Sequence, residues 1–288
     1  RDAANGILDR EFAKELVACA LYKIGENRYF GADDVVNIAI GGVRPDGGDA
    51  VNELSYIILE AVRDCGIAGP NLSARIHQDA PDRFLDECLQ VIGTGIGYPA
   101  LMNDEVNIAA LQQCGYEMED CRNYCMVGCV ENFLPGQQPP WSDGRFNSPV
   151  YLELALNGGY SWREGAQLGP HTKNADEIAS MEEFLECFHL QLKAGAAEYM
   201  ALFRNENDRL NRKNYRQPFL SCLCNECIEK GLDINEGGTK YPSVHGPGCM
   251  GIGTVADSLA AIDQLVFMEK RVSLSRLRDA LAPDFDGY

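Results

Sequence analysis

Short β-branched runs alternate along this chain with longer segments whose apolar residues recur every three or four positions. "DVVNIAIGG" (34–42), "NLSARIH" (71–77) and "PALMND" (99–104) read as buried strands. Between and around them "LDREFAKELVACALYKIGE" (8–26), "AVNELSYIILEAVRDCG" (50–66), "PDRFLDECLQVIGTG" (81–95) and "DEVNIAALQQCG" (104–115) read as helices. Pro81 suits a first helical turn and Gly66 a helix end. A strand that reaches the next strand through a helix runs parallel to it, so the pattern predicts an α/β fold with a parallel sheet or barrel. Further along, "YCMVGCV" reads as another strand and "KYPSVHGPGCMGIG" as a Gly-rich strand and loop. "SPVYLELALNGG", "SMEEFLECFHLQLKAGAAEYMALFRNEND", "QPFLSCLCNECIEKG" and "TVADSLAAIDQLVFMEKRVS" read as helices, those between 181 and 230 packing outside the sheet. With no internal repeat, low-complexity tract or linker, residues 1–288 are expected to form one domain.

Charge and cysteine content narrow the function classes. A formal net charge of −18 argues against nucleic acid or an anionic membrane surface as partner, since both reward Lys and Arg. No apolar run approaches the ~20 residues of a membrane span, and nothing resembles a signal peptide. Twelve cysteines in such a chain are expected to be reduced thiols in a reducing, oxygen-poor cytoplasm. The chain starts without Met inside a running pattern and stops at "DFDGY", so a piece of a longer protein is expected.

Several constellations carry little chemistry. Cys121, Cys125 and Cys129 share a fourfold spacing that would suit metal on a helix, but their neighbours predict a strand. Cys224 and Cys227, with Cys222 nearby, have a zinc-like spacing without a second pair, and buried thiols are the plainer reading. No metal is therefore expected. His77, His171, His189 and His245 stand far apart, with no HExxH motif and no Ser/His/Asp order. "GIGTVADS" lacks the spacing of a dinucleotide fingerprint.

Gly128-Cys129-Val130-Glu131 is different. On a strand, residues two apart share a side, so Cys129 and Glu131 are expected to face one internal cavity. A thiol and a carboxylate there suit hydrogen transfer, one for an atom and one for a proton. The plain alternative is a core cysteine beside a surface ion-paired glutamate.

"GCVE", then "PG", then Trp141 and Asp143 twelve and fourteen residues after the cysteine, resembles the cysteine loop of glycyl radical enzymes, the pyruvate formate-lyase-like superfamily. "IGGVRPDGGDAVNELSYIILEA", "GTGIGYPALMNDEVNIAAL", "LELALNGG" and "GIGTVADSLAAIDQLVF" extend the resemblance, in family order, over nearly the whole chain, and the dehydratase and lyase branch is the most similar. Pyruvate formate-lyase itself has two adjacent cysteines here, from which "GCVE" departs.

The resemblance implies part of an α/β barrel of two half-barrels with outer helices, in which a cysteine loop and a glycine loop meet. It implies a radical stored on a glycine and passed to Cys129, whose sulfur takes a hydrogen atom from a small organic substrate. Glu131 would deprotonate a substrate hydroxyl and Asp143 assist a leaving water, amine or similar group. The enclosed site would keep water from the intermediates.

Asp34, Val35, Arg145, Phe146 and His245 are the expected substrate-contacting residues. Val35 stands where the family carries an aromatic, which suggests a wider pocket. Asp34 would meet a cationic group or sit in a solvated turn, and Arg145 would pair a substrate carboxylate or neutralise Asp143. A glycine-loop signature of the form "RVxGY" is not found, so the radical glycine is expected outside this sequence and no cofactor bound within it. A separate activase using S-adenosylmethionine and a homodimeric assembly are further implications, and the fragment alone is expected to be inactive. An arylacetate decarboxylase, a carbon–carbon bond-forming enzyme and a non-catalytic cysteine-rich barrel fragment remain the alternatives.

Overall fold

The computed structural model describes residues 5–29, 36–67, 69–129, 131–139, 142–203, 214–242 and 245–288. The chain divides into two compact units, one of residues 1–140 and 217–242, the other of 141–216 and 243–288.

The first unit opens with α1 (Arg10–Tyr29) and then alternates β1 (Asn37–Gly41), α2 (Glu53–Cys65), β2 (Asn71–Ile76), α3 (Asp82–Val91), β3 (Ala100–Asn103) and α4 (Asp104–Gln113). The strands form a parallel sheet in the order β1-β2-β3, as the βα pattern requires. Asn37 pairs with Asn71, and Ser73 with Ala100. Local signals fix the connecting helices. The Asn52 side chain accepts from the Leu54 amide at 2.9 Å, Ser55 Oγ accepts from the Asn52 amide at 3.3 Å, and Gly66 ends α2 in the left-handed region. The apolar side of α2 joins Leu21, Ile40, Leu72, Ala74, Phe84 and Val91 in one core. Each fully buried Leu, Ile, Val or Phe side chain in such a core contributes about 1.5–3 kcal/mol.

A second core in this unit, of Leu111, Cys121, Tyr124, Met126 and Leu134, lies under a short helix α5 (Met118–Arg122) and an antiparallel hairpin, β4 (Cys125–Val127) and β5 (Glu131–Phe133). The expected helix over 217–231 is two single turns, Pro218–Ser221 and Cys227–Lys230. They are parted where Glu226 takes a left-handed φ of 69°, which no helix continues through.

In the second unit β6 (Ser142–Asn147) pairs in parallel with β9 (His245–Met250), with the two-residue strands β7 (Tyr160–Ser161) and β8 (Ala166–Gln167) forming a small hairpin between them in sequence. Helices α6 (Ser148–Leu156), α7 (Met181–Phe203), α8 (Ile252–Ile262) and α9 (Leu274–Leu281) enclose Leu152, Leu156, Phe184, Phe188, Val255, Ile262 and Leu274. Among the described residues no helix is long and apolar enough to cross a membrane.

Candidate functional site: a cysteine hairpin

The hairpin of β4 and β5 carries the site. Val127 pairs with Glu131, and Gly128 and Cys129 follow β4 in the turn. Gly128 has φ 63°, a conformation that costs any residue with a Cβ about 1–2 kcal/mol and ends the strand at Val127. The strand expected over 124–130 therefore ends at Val127. Cys129 is an exposed thiol at the hairpin tip, and not one of two residues alternating along a strand above an internal cavity. A turn residue has no cross-strand partner, so it projects from the sheet where strand residues would pack. Glu131, half-buried, is the first residue of the returning strand. Cys129 in the turn thus stands two residues before the start of β5.

Two sets of contacts fix this hairpin to the parallel sheet. At the tip, the carbonyl oxygen of Gly128 accepts from the side-chain amide of Asn37 at 2.9 Å and from that of Asn71 at 3.4 Å. The hydroxyl of Tyr98 donates to the amide oxygen of Asn71. At the base, Arg75 donates from Nη1 to the Tyr124 carbonyl at 3.0 Å and from Nη2 to the Arg122 carbonyl at 2.9 Å. Arg75 also packs over the Tyr124 ring, 4.0 Å from its centroid, and the Tyr124 hydroxyl donates to Asp104 Oδ1 at 2.7 Å. Burial, reinforced by the bond to Asp104, pushes the Tyr124 phenol well above its ordinary range, so it stays a donor. Burial likewise pushes up the Cys125 thiol in β4, against a smaller opposing pull from Arg75.

The other expected residues fall in the second unit or outside the described residues. Asp34 and Val35 lie outside them. Asp143 is the second residue of β6, opposite Gly246 of β9, and His245 opens β9 opposite Ser142. Arg145, two positions beyond Asp143, is exposed. Phe146 stacks on Tyr151 of α6 with centroids 4.9 Å apart and meets Tyr199 of α7 edge-on at 5.7 Å. Across the strand pair from Phe146, Cys249 Sγ lies 2.8 Å from Ser148 Oγ. The fold thus groups Cys129 with Glu131, and separately groups Asp143, Arg145, Phe146 and His245.

All twelve cysteines are free thiols. Among the described residues no group of three or more His, Cys, Asp or Glu side chains converges as a metal site. Asn37, Asn71 and Tyr98 were not anticipated from the sequence. The available signal was an asparagine opening each of two neighbouring strands, "NIAIG" and "NLSARI".

The pyruvate formate lyase-like family model matches residues 1–288. Trans-4-hydroxy-L-proline dehydratase of Clostridioides difficile is 35% identical over 305 residues, taking in 100% of this chain and 38% of the relative. (2S)-3-sulfopropanediol dehydratase of Klebsiella oxytoca is 32% identical over 302 residues, with 100% of this chain and 36% of the relative covered. The glycerol-bound structure of the B12-independent glycerol dehydratase from Clostridium butyricum superposes with a TM-score of 0.83 at 34% identity, over 97% of this chain and 36% of that one. This chain therefore spans well under half the length of the relatives it matches, and it shares their α/β fold over that span. The chain belongs to the pyruvate formate lyase-like family.

Proposed function

We propose that the whole protein is a glycyl radical lyase of the dehydratase type, eliminating water, an amine or a similar group from a small organic substrate. The observation that carries this reading is the hairpin that presents the Cys129 thiol at its exposed tip with Glu131 at the start of the next strand. The names of the similar proteins support the same class. An accessible thiol on an anchored turn fits a hydrogen-atom relay.

In this reading a radical on a glycine elsewhere in the protein, installed by an S-adenosylmethionine-dependent activase, would take the thiol hydrogen of Cys129, forming a glycine C–H bond and leaving the unpaired electron on sulfur. The sulfur of Cys129 then takes a hydrogen atom from the substrate carbon that bears a hydroxyl, and returns it to the product at the end. Glu131 accepts the proton of that hydroxyl. Asp143 donates a proton to the neighbouring leaving group as its bond to carbon breaks. Arg145, Phe146 and His245, with Asp34 and Val35, are the substrate-contacting residues of this reading, Phe146 being stacked on Tyr151. Exclusion of oxygen, a cytoplasmic location and a homodimeric assembly belong to the same reading and rest on the family resemblance.

The test uses the full-length, activated protein. Cys129→Ala is expected to abolish turnover while the glycyl radical still forms, as followed by electron paramagnetic resonance, because activation acts on the glycine. Turnover by Cys129→Ala would overturn the reading.

A further inference from the structure

We infer that Asn37 and Asn71 are positioning residues which clamp the peptide preceding Cys129, with Tyr98 setting the orientation of Asn71, so that the sulfur is held at a fixed point on the sheet edge. This rests on the reading of Cys129 as the reacting thiol, and it assigns a task to three residues that make no contribution to that chemistry themselves.

The geometry is specific. Asn37 and Asn71 are register partners at the first positions of neighbouring parallel strands. Both amide nitrogens converge on one atom, the carbonyl oxygen of Gly128, at 2.9 and 3.4 Å. A carbonyl oxygen has two lone pairs, so two donors occupy its accepting capacity. That oxygen belongs to the peptide plane leading into Cys129. Holding it removes the rotation about the Gly128 ψ angle that would otherwise swing the thiol, and glycine is the residue for which such rotation is freest. The restraint matters here because Cys129 is exposed.

Tyr98 adds direction. An asparagine amide presents either its oxygen or its nitrogen to a neighbour, and only the nitrogen donates to a carbonyl. The Tyr98 hydroxyl donates to Asn71 Oδ1 and so turns the NH2 group toward Gly128. The phenol acts on Cys129 only through Asn71.

The experiment measures kcat, KM and radical content in the full-length, activated protein. Asn37→Ala and Asn71→Ala are expected to lower kcat by roughly ten- to a hundredfold, the range for small misplacements of a reacting group, with KM and glycyl radical spin yield unchanged. Tyr98→Phe is expected to lower kcat a few-fold, and to have no further effect when added to Asn71→Ala, because its action runs through that residue. Folded Asn37→Ala and Asn71→Ala proteins with wild-type kcat would overturn the clamp. So would a Tyr98→Phe effect that is equally large with and without Asn71. If the alanine variants do not fold, Tyr98→Phe, which removes one hydroxyl, decides: wild-type kcat counts against the clamp and lowered kcat at unchanged KM supports it. Failure of the underlying reading is recognised separately, by Cys129→Ala retaining turnover.

Discussion

Arg75 and Asp104 meet as a two-point ion pair inside the first unit, Nε to Oδ1 at 2.9 Å and Nη2 to Oδ2 at 2.8 Å, with side chains 7% and 1% exposed. The second oxygen of Asp104 also accepts from the Val43 amide at 2.8 Å. Every strong partner is satisfied, so removing one leaves the other charge buried alone. Asp104→Asn is expected to destabilise the protein by about 3–5 kcal/mol, read as a shift in the chemical denaturation midpoint. An effect within about 0.5 kcal/mol would mean that the pair is more solvated than its burial indicates.

Gly42 makes room for that arginine. Its φ is 82°, and a Cβ there would lie 2.7 Å from both Cζ and Nε of Arg75. Gly42→Ala therefore combines a left-handed backbone cost of about 1–2 kcal/mol with displacement of the guanidinium. Its denaturation midpoint should fall clearly, and only the guanidinium's share of that loss should vanish in an Arg75→Ala background, because the left-handed backbone and the Arg75 Cβ 2.8 Å away both remain. Full additivity of the two substitutions would show that the crowding is unimportant.

Asp120 ties the returning segment 217–242 to the rest of the first unit. Burial opposes its ionisation, but Lys240 at 2.7 Å, Tyr241 at 2.6 Å and Gln137 at 2.6 Å outweigh it and hold the carboxyl below its ordinary 3.8. A depressed carboxyl stabilises the fold fully above its unfolded value and loses that contribution as pH falls through the folded one. Asp120→Asn should thus be less stable than wild type at neutral pH, and the gap should narrow as the pH falls below the ordinary carboxylate range. A gap that persists unchanged into acid would show that the interaction does not depend on the charge.

Glu131 and Asp143 separate elimination from its rivals in the activated, full-length protein. Glu131→Gln should lose on the order of 10²–10⁴ in turnover, the usual cost of removing a general base, while hydrogen exchange at the substrate carbon persists. Asp143→Asn should slow elimination at least ~10-fold if it serves the leaving group. Near wild-type turnover in Asp143→Asn would favour decarboxylation or carbon–carbon bond formation, which have no such group to assist.

The βα rhythm was legible because α2 and α3 carry their own boundary residues, Gly66 and Pro81. The cysteine hairpin was not. "YCMVGCVENF" has apolar residues throughout, and only the left-handed Gly128 converts one strand into two. Cys129 and Glu131 were singled out in spite of this from their two-residue spacing alone, which a strand and a hairpin share. β6 escaped for another reason: "SDGRFN" has no apolar alternation and reads as a loop, and its partner β9 begins 103 positions later at the level of Ser142 and His245. Long-range pairing of that kind leaves no local trace. Asp143 and Arg145 were picked out through family resemblance, whose motif fixes positions and says nothing of the strand beneath them.

The alignment of Asn37 with Asn71 is a strand register, and register is quantised. Its smallest step is one residue, ~3.3 Å along the strand, and that step also turns the side chain to the opposite face. A slip of β2 against β1 would therefore not loosen the grip on Gly128 by degrees; it would remove one of the two amides altogether. The place of the sulfur behaves as an all-or-none property of the sheet, settled when distant stretches of chain, 91 and 57 residues upstream of Gly128, come into line.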